Sequence, residues 1–428
     1  MLSIYNFIVL LLLPLIALFY LPLFLMKDKH RKNFFLRLRI PRVHGERDGR
    51  EVENIWVHAV SVGEVLASIP LVKGLKRVSP GAKIFLSTIT VTGHSVAQSK
   101  ASSLVDGVFY LPFDLYPVIS KTVTNVSPNL LIIMETEIWP NLIAAAKDAG
   151  AFVAIVNGRI SDRSFPKYRR FRFFFKRVLE MVDLFLMQSS LSRERIIGIG
   201  ASPDRVHVMK NLKYDIENIE TEHVRNLRDA IRYVAQGRKI IVCGSTHEGE
   251  ERLIIESLSE EIGRVLLVIA PRHPERFDKV AEIVSESGIR FVRRSEMDKG
   301  STSGDADIDL VILDTLGELS GIYDIADIVI VGGSFVEIGG HNVLEPASHG
   351  IPVITGIYYS NFKDIVEEMD AESAIIIAGG PGALREKVLA LLKDENMAGS
   401  IGSRGRNLVE NYRGLGIRVA SELVGRIK

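Results

Sequence analysis

Residues 55–64 read Ile-Trp-Val-His-Ala-Val-Ser-Val-Gly-Glu. A short apolar run meets a turn at Gly63, and Glu64 opens an amphipathic stretch that continues to Lys76. This is a strand running straight into a helix. Apolar runs without polar alternation belong to strands buried on both faces, as in a parallel sheet covered by helices. The unit recurs along the chain. Ile84–Ser87, Gly107–Leu111, Leu130–Met134, Val153–Val156, Leu184–Met187 and Val206–Met209 are further candidate strands, with helices such as Trp139–Ala149 between them. After a polar stretch from Tyr214 to Arg238, the alternation restarts with Lys239–Cys243, Val265–Ala270, Leu310–Leu313, Ile328–Val331, Pro352–Ile354 and Ala374–Ile377. The segment from Arg293 to Asp309 reads as a surface loop, and helices near Asn396–Asn411 and Gly416–Arg426 end the chain. Two such series predict an α/β protein of two Rossmann-like, doubly wound domains facing a cleft. A ligand is expected there, outside the carboxyl ends of the strands.

The expected divisions are 1–26, 27–50, 51–213, 214–238, 239–412 and 413–428. At roughly 150 residues per domain, 428 residues suit two large domains. Hydrophobic residues make up 47%, which excludes wholesale disorder. Lys and Arg number 53 against 52 Asp and Glu, a balance that argues against a nucleic-acid partner. The single cysteine, Cys243, makes an internal disulfide impossible and argues against a cysteine-based zinc site.

Residues 1–26 carry no charged side chain, and about 20 apolar residues are enough for a helix to cross a bilayer core. Pro14 and Pro22 would kink such a helix, which leaves open whether it spans or lies in one leaflet. Lys27, Lys29, Arg31, Lys32, Arg37, Arg39 and Arg42 follow it. The charges come after the apolar run and no A-x-A site follows, so a retained anchor is expected rather than a secretory signal. The positive-inside rule then places everything after residue 27 in the cytoplasm.

Several constellations stand where strands should end. Glu64 in His58–Glu64 has two readings, a helix N-terminal charge or a general base. Met134–Asn141 holds Glu135 and Glu137, two carboxylates one residue apart, which are expected to alternate in direction so that only one faces a given partner. Gly244–Glu251 offers hydroxyls and backbone N–H groups that suit either capping or an anion. Arg272, after Pro271, suits a phosphate or a surface ion pair. In Gly332-Gly333-Ser334 and Gly339–Pro346 the paired glycines let backbone approach a ligand. Glu345, one turn after Asn342, suits ribose hydroxyls. The pattern matches neither G-x-G-x-x-G nor a Walker loop. Lys167–Arg177 is cationic and aromatic, fitting a helix on an anionic membrane or an ordinary solvated basic face.

Taken together these motifs resemble the Kdo (3-deoxy-D-manno-octulosonic acid) transferases of lipopolysaccharide biosynthesis. The resemblance runs from the N-terminal anchor to about residue 412. It rests on His58–Glu64, Met134–Leu142, Asn211–Asp215, Ser245–Glu251, Pro271–Phe277, Asp314–Leu319 and Gly332–Pro346. It implies a GT-B fold and inverting transfer of Kdo from CMP-Kdo to the lipid A precursor lipid IV-A at the cytoplasmic face of the inner membrane, with no metal or other cofactor. It also implies that the first domain takes the acceptor and the second the CMP-sugar. Glu64 matches the family's catalytic base, and Glu135 and Lys213 match positions that stabilise the transition state. Pro271, Arg272, Leu316, Gly317, Glu318, Asn342, Val343, Leu344 and Glu345 match CMP-binding positions. Departures are small: Leu316, Tyr214, Val343 and Gly158 stand where members often have Met, Phe, Pro and Ala. The competing expectation is another membrane-associated GT-B enzyme with a UDP-sugar donor and a lipid-linked acceptor. A non-catalytic nucleotide-binding scaffold would not need Glu64 and Glu135.

Overall fold

The computed structural model describes residues 5–7, 11, 34–41, 43, 54–216, 222–297 and 308–427. Most of the expected anchor, much of its basic flank and much of the loop expected before residue 309 lie outside these. Among the described residues no helix is long and apolar enough to cross a membrane.

The chain forms two compact units, residues 1–215 with 414–428, and residues 216–413. The first contains β1 (Asn54–His58), β2 (Lys83–Thr88), β3 (Gly107–Tyr110), β4 (Leu130–Met134), β5 (Phe152–Gly158), β6 (Leu184–Met187) and β7 (Val206–Val208). Their order is β3-β2-β1-β4-β5-β6-β7, and every pairing is parallel. Ile55 and Val57 belong to one buried cluster and Trp56 to another, because successive strand side chains point to opposite faces. Both faces are therefore apolar, which is why the strands read as unbroken runs.

The second unit holds β8 (Lys239–Thr246), β9 (Val265–Pro271), β10 (Phe291–Arg293), β11 (Leu310–Ile312), β12 (Ile328–Val331), β13 (Val353–Thr355) and β14 (Ile376–Ile377). Their order is β10-β11-β9-β8-β12-β13-β14, again all parallel.

Three segments differ from expectation. The polar stretch after Tyr214 carries a helix, Glu222–Ala235, whose Val224, Leu227, Ile231 and Val234 form a buried stripe at helical spacing. Within the expected loop, Arg293 ends β10 and Arg294–Met297 is a helical turn, fixed by the buried ion pair of Arg294 with Glu318. The last helix, Leu415–Arg426, is part of the first unit: Leu415, Val419, Leu423 and Val424 join its core beside the helix Val62–Val78.

Candidate active site

In the first unit the carboxyl end of β1 turns into the helix Val62–Val78. Ser61 and Glu64 form a capping box there. One Glu64 oxygen accepts Val60 N–H at 2.8 Å; the other accepts Ser61 N–H at 3.2 Å and the Ser61 hydroxyl at 2.8 Å. The helix N-terminal reading of Glu64 thus holds, and the same carboxylate sits where the strand ends. Burial pushes its pKa up to about 7, the charges of Glu135 and Glu137 push the same way, and the Val60 N–H and Ser61 hydroxyl oppose the rise.

Glu135 follows β4 with φ of 55°, its N–H bonded to Val156 O at 2.9 Å. Residues two apart along an extended chain share a face, and the charges of both carboxylates raise the Glu64 pKa, against the expectation that only one would face a given partner. Burial, then Glu135, raises the pKa of Glu137 as well. Lys213 lies in the 3-10 turn Leu212–Tyr214. Asn157 Oδ1 takes the Leu212 N–H at 2.9 Å and Asn211 Oδ1 takes the Lys213 N–H at 3.0 Å, and the helix Val62–Val78 packs on this turn. The structure thus places Glu64, Glu135 and Lys213 at one edge of one sheet. His58, buried beside them, bonds Ser87 Oγ through Nδ1 at 2.8 Å. Burial holds its pKa down to about 3, so it is a neutral ring at physiological pH.

In the second unit, the segments after β8 and β12 converge on Glu250. This buried carboxylate accepts the N–H groups of His247 (2.9 Å), Gly333 (2.7 Å), Ser334 (3.1 Å) and Phe335 (2.9 Å). The backbone donors that the sequence reading gives to a ligand are therefore engaged by the protein's own carboxylate. Gly340 N–H likewise goes to Gly333 O at 2.7 Å, and Leu344 N–H to Asn342 Oδ1 at 3.1 Å. Thr246, expected as an anion donor, gives its hydroxyl to Glu251, which also holds Arg276 through two bonds of 2.6 and 3.0 Å. Nothing in the sequence flags Glu250 for this task, because three of its four donors lie more than 80 residues away.

Around this frame, Pro271 ends β9, and Arg272 bonds Thr246 O through its N–H at 3.0 Å while its side chain is exposed. The Arg272 charge helps hold the His341 pKa down to about 4, after burial and the neighbouring His247. His247 and His341 stack, with Nε2 atoms 2.7 Å apart. Gly333 has φ of +68°, and a Cβ on it would come within 2.8 Å of the His341 ring. Val343 and Leu344 are buried, and the helix they open, Leu344–Ser348, is only five residues long. Glu345 is half-buried, near the enclosed Tyr323 hydroxyl. Leu316 is 74% exposed and Gly317 turns with φ of +87°. Glu318 faces inward, bonded to Arg294, His223 and Thr315, which leaves Leu316 and Gly317 as the accessible part of that motif. Among the described residues no group of three or more His, Cys, Asp or Glu side chains could hold a metal ion.

Residues 32–216 match the family model for 3-deoxy-D-manno-octulosonic-acid transferase, and residues 311–408 match that for glycosyl transferases group 1. The 3-deoxy-D-manno-octulosonic acid transferase of Haemophilus influenzae is 34% identical, over 85% of this chain and 84% of its own length. That of Bordetella pertussis is 32% identical, over 79% of each. A bifunctional glycosyltransferase/methyltransferase of Fusobacterium nucleatum is 36% identical over 75% of this chain, which spans half of that longer protein. Among solved structures, a glycosyltransferase from Rickettsia africae superposes with a TM-score of 0.57 at 14% identity, covering 88% of this chain and 98% of that one. A UDP-GlcNAc 2-epimerase from Neisseria meningitidis gives 0.59 at 12%, covering 87% and 98%. At such identities the structural likeness is one of fold. The extent and identity of the sequence matches establish that this chain belongs to the 3-deoxy-D-manno-octulosonic acid transferase family.

Proposed function

We propose that this chain, as an inverting GT-B glycosyltransferase, moves Kdo from CMP-Kdo to lipid IV-A at the cytoplasmic face of the inner membrane. Beyond family membership, the reading is carried by Glu64, a buried carboxylate whose proton affinity is tuned close to neutrality at a strand end. Glu64 takes the proton of an acceptor hydroxyl. That oxygen forms a bond to the anomeric carbon of Kdo while the bond from that carbon to the CMP phosphate oxygen breaks, and the phosphate leaves with the electron pair. Lys213 and Glu135 act on the charge that develops on the first unit's side, and Arg272 balances the phosphate. With the glycine-turn N–H groups engaged by Glu250, nucleotide contacts fall to side chains, Arg272 for phosphate and Glu345 for the ribose. Arg272→Ala and Glu345→Ala are each expected to weaken CMP binding about tenfold or more, because a hydrogen bond to a charged group contributes about 1.5–3 kcal/mol. Calorimetry with CMP checks this, and unchanged affinity in both variants removes the nucleotide from this place.

The membrane location rests on the apolar, basic-flanked N terminus and on Lys167–Arg177. The latter forms two short helices broken at Phe171, with Phe171 and Phe173 exposed. Tyr5 lies with its ring 5.7 Å from that of Phe174, so the start of the apolar segment meets the basic-aromatic stretch.

Mass spectrometry of lipid IV-A incubated with CMP-Kdo and the purified protein tests the proposal. Lipid IV-A heavier by Kdo is expected with the parent, and about 10²- to 10⁴-fold less of it with Glu64→Gln. A UDP-sugar accepted in place of CMP-Kdo would defeat the donor assignment.

A further inference from the structure

On the first unit a cavity of about 900 Å³ opens beside the carboxyl end of β3. Its apolar wall includes Leu36, Ile40 and Val108, and its polar groups are Arg39, His94 and Tyr110. The His94 and Tyr110 rings stack, 4.0 Å between centroids and 18° between planes. Thr88 Oγ1 holds His94 Nδ1 at 3.2 Å. The opposite wall is fixed too. Arg37, on the same segment as Leu36 and Arg39, bonds Leu111 O through Nε at 3.0 Å and lies over the Phe113 ring at 4.4 Å.

The cavity is tied to the position of Glu64. Val60, whose N–H Glu64 holds, accepts at its carbonyl the N–H and the hydroxyl of Thr90, at 3.2 and 3.1 Å. Thr90 in turn caps the helix Val91–Lys100 that carries His94, taking Gly93 N–H at 3.0 Å. In the sheet β1, β2 and β3 are neighbours, so the end of β3 lies two strand spacings, about 10 Å, from the end of β1. One more sugar ring beyond an acceptor hydroxyl bound at Glu64 would reach that far.

We propose that this cavity is a second acceptor subsite, which takes the negatively charged, acylated sugar next to the one that receives Kdo. The assignment rests on the lipid-acceptor reading above and deepens it. The chemistry of the walls selects that class. A flat ring pair presents a face to the apolar side of a sugar. The exposed Arg39 meets a phosphate substituent. Leu36, Ile40 and Val108 cover the first carbons of an acyl chain. Burial holds His94 below its usual pKa and Tyr110 above, so the platform stays uncharged and Arg39 is the cation of the lining.

The test uses the full-length protein in mixed micelles, with lipid IV-A and with dephosphorylated lipid IV-A. Arg39→Gln should raise KM for lipid IV-A about tenfold and leave kcat and CMP affinity unchanged, since a charge-assisted bond contributes one to two factors of ten in affinity. With the dephosphorylated acceptor, Arg39→Gln and parent should become equal, an equality that a merely structural role for Arg39 would not produce. Tyr110→Ala should raise KM for both acceptors, with far-UV dichroism and CMP binding showing that it folds. Direct binding of lipid IV-A to the parent and to Arg39→Gln separates the two layers of the argument. Binding weakened by Arg39→Gln without transfer by the parent would sink the reaction and keep the subsite. Transfer by the parent with KM unchanged in both variants would overturn the subsite alone, and no binding by the parent would overturn both.

Discussion

Glu64 is held between opposing influences that set its titration. Burial and two nearby carboxylates favour the protonated form, while the Val60 N–H and the Ser61 hydroxyl favour the charged one, and the balance falls at about 7. A base works when ionised, so kcat/KM for the acceptor should rise with pH through an inflection near 7. Glu135→Gln removes one like charge and should move that inflection to lower pH on whatever activity remains; a pH–rate profile that does not move would show that Glu135 does not act on Glu64. The same shift has a stability sign. Between the ordinary carboxylate range and about 7 the folded chain holds more protons at this residue than the unfolded one, so the contribution of Glu64 to stability declines as pH rises through that window. Thermal unfolding of the parent should accordingly lose ground to Glu64→Gln over the same interval. The place of Glu64 at a strand end was legible because its motif follows an apolar run. That the charges of Glu135 and Glu137 both raise the pKa of Glu64 was not, since it depends on burial and on the pairing of β1 with β4, which brings the two motifs together.

Strands were legible wherever both faces are apolar, as in Leu130–Met134, which the structure reproduces residue for residue. The helix Glu222–Ala235 escaped notice because its buried stripe is narrow and the rest of its surface is charged. The GG turns were legible as places of close backbone approach. Their satisfaction by Glu250 was not, because sequence does not display which distant carboxylate folds against which loop. Glu250→Ala would leave four N–H groups without their acceptor, each costing about 1–3 kcal/mol if buried and unsatisfied. The second unit should therefore unfold at markedly lower denaturant, with Glu250→Gln intermediate; an unaltered midpoint for the alanine variant would show that the turn stands without this carboxylate. At the same scale, the basic-aromatic helices predict a salt-sensitive membrane contact. Each Lys or Arg near an anionic surface contributes about 1 kcal/mol. In a chain lacking residues 1–26, exchanging Arg170, Arg172, Lys176 and Arg177 for Gln should remove most sedimentation with anionic vesicles, more so at low salt. Equal sedimentation with and without those charges would return the stretch to a solvated helix face.

At the scale of the molecule, two series of β/α units were legible from the restart of the apolar runs at Lys239, while the return of the chain to its first unit was not. Asp215 provides the physical reason for that return: its carboxylate takes the N–H groups of Gly414 at 2.8 Å and Gly416 at 2.7 Å. Gly416 then packs against the helix that carries Glu64. A Cβ on Gly416 would lie 2.4 Å from Pro70 O, and one on Gly74 would lie 2.6 Å from Gly416 O. The contact is backbone against backbone, so neither side can yield by changing a rotamer. Gly416→Ala should destabilise the first unit by about 1–3 kcal/mol or more, the usual cost of overpacking. Deleting residues 414–428 goes further. Leu415, Val419, Leu423 and Val424 are buried, and at about 1.5–3 kcal/mol for each side chain their loss approaches the whole stability of a typical domain. The truncated chain should then lose transfer and yield to protease throughout residues 54–215, while a resistant fragment from the second unit persists and binds CMP as before. A truncated chain whose first unit stayed protease-resistant and active would show that the C-terminal helix is an appendage, and that the core of the first unit is complete without it.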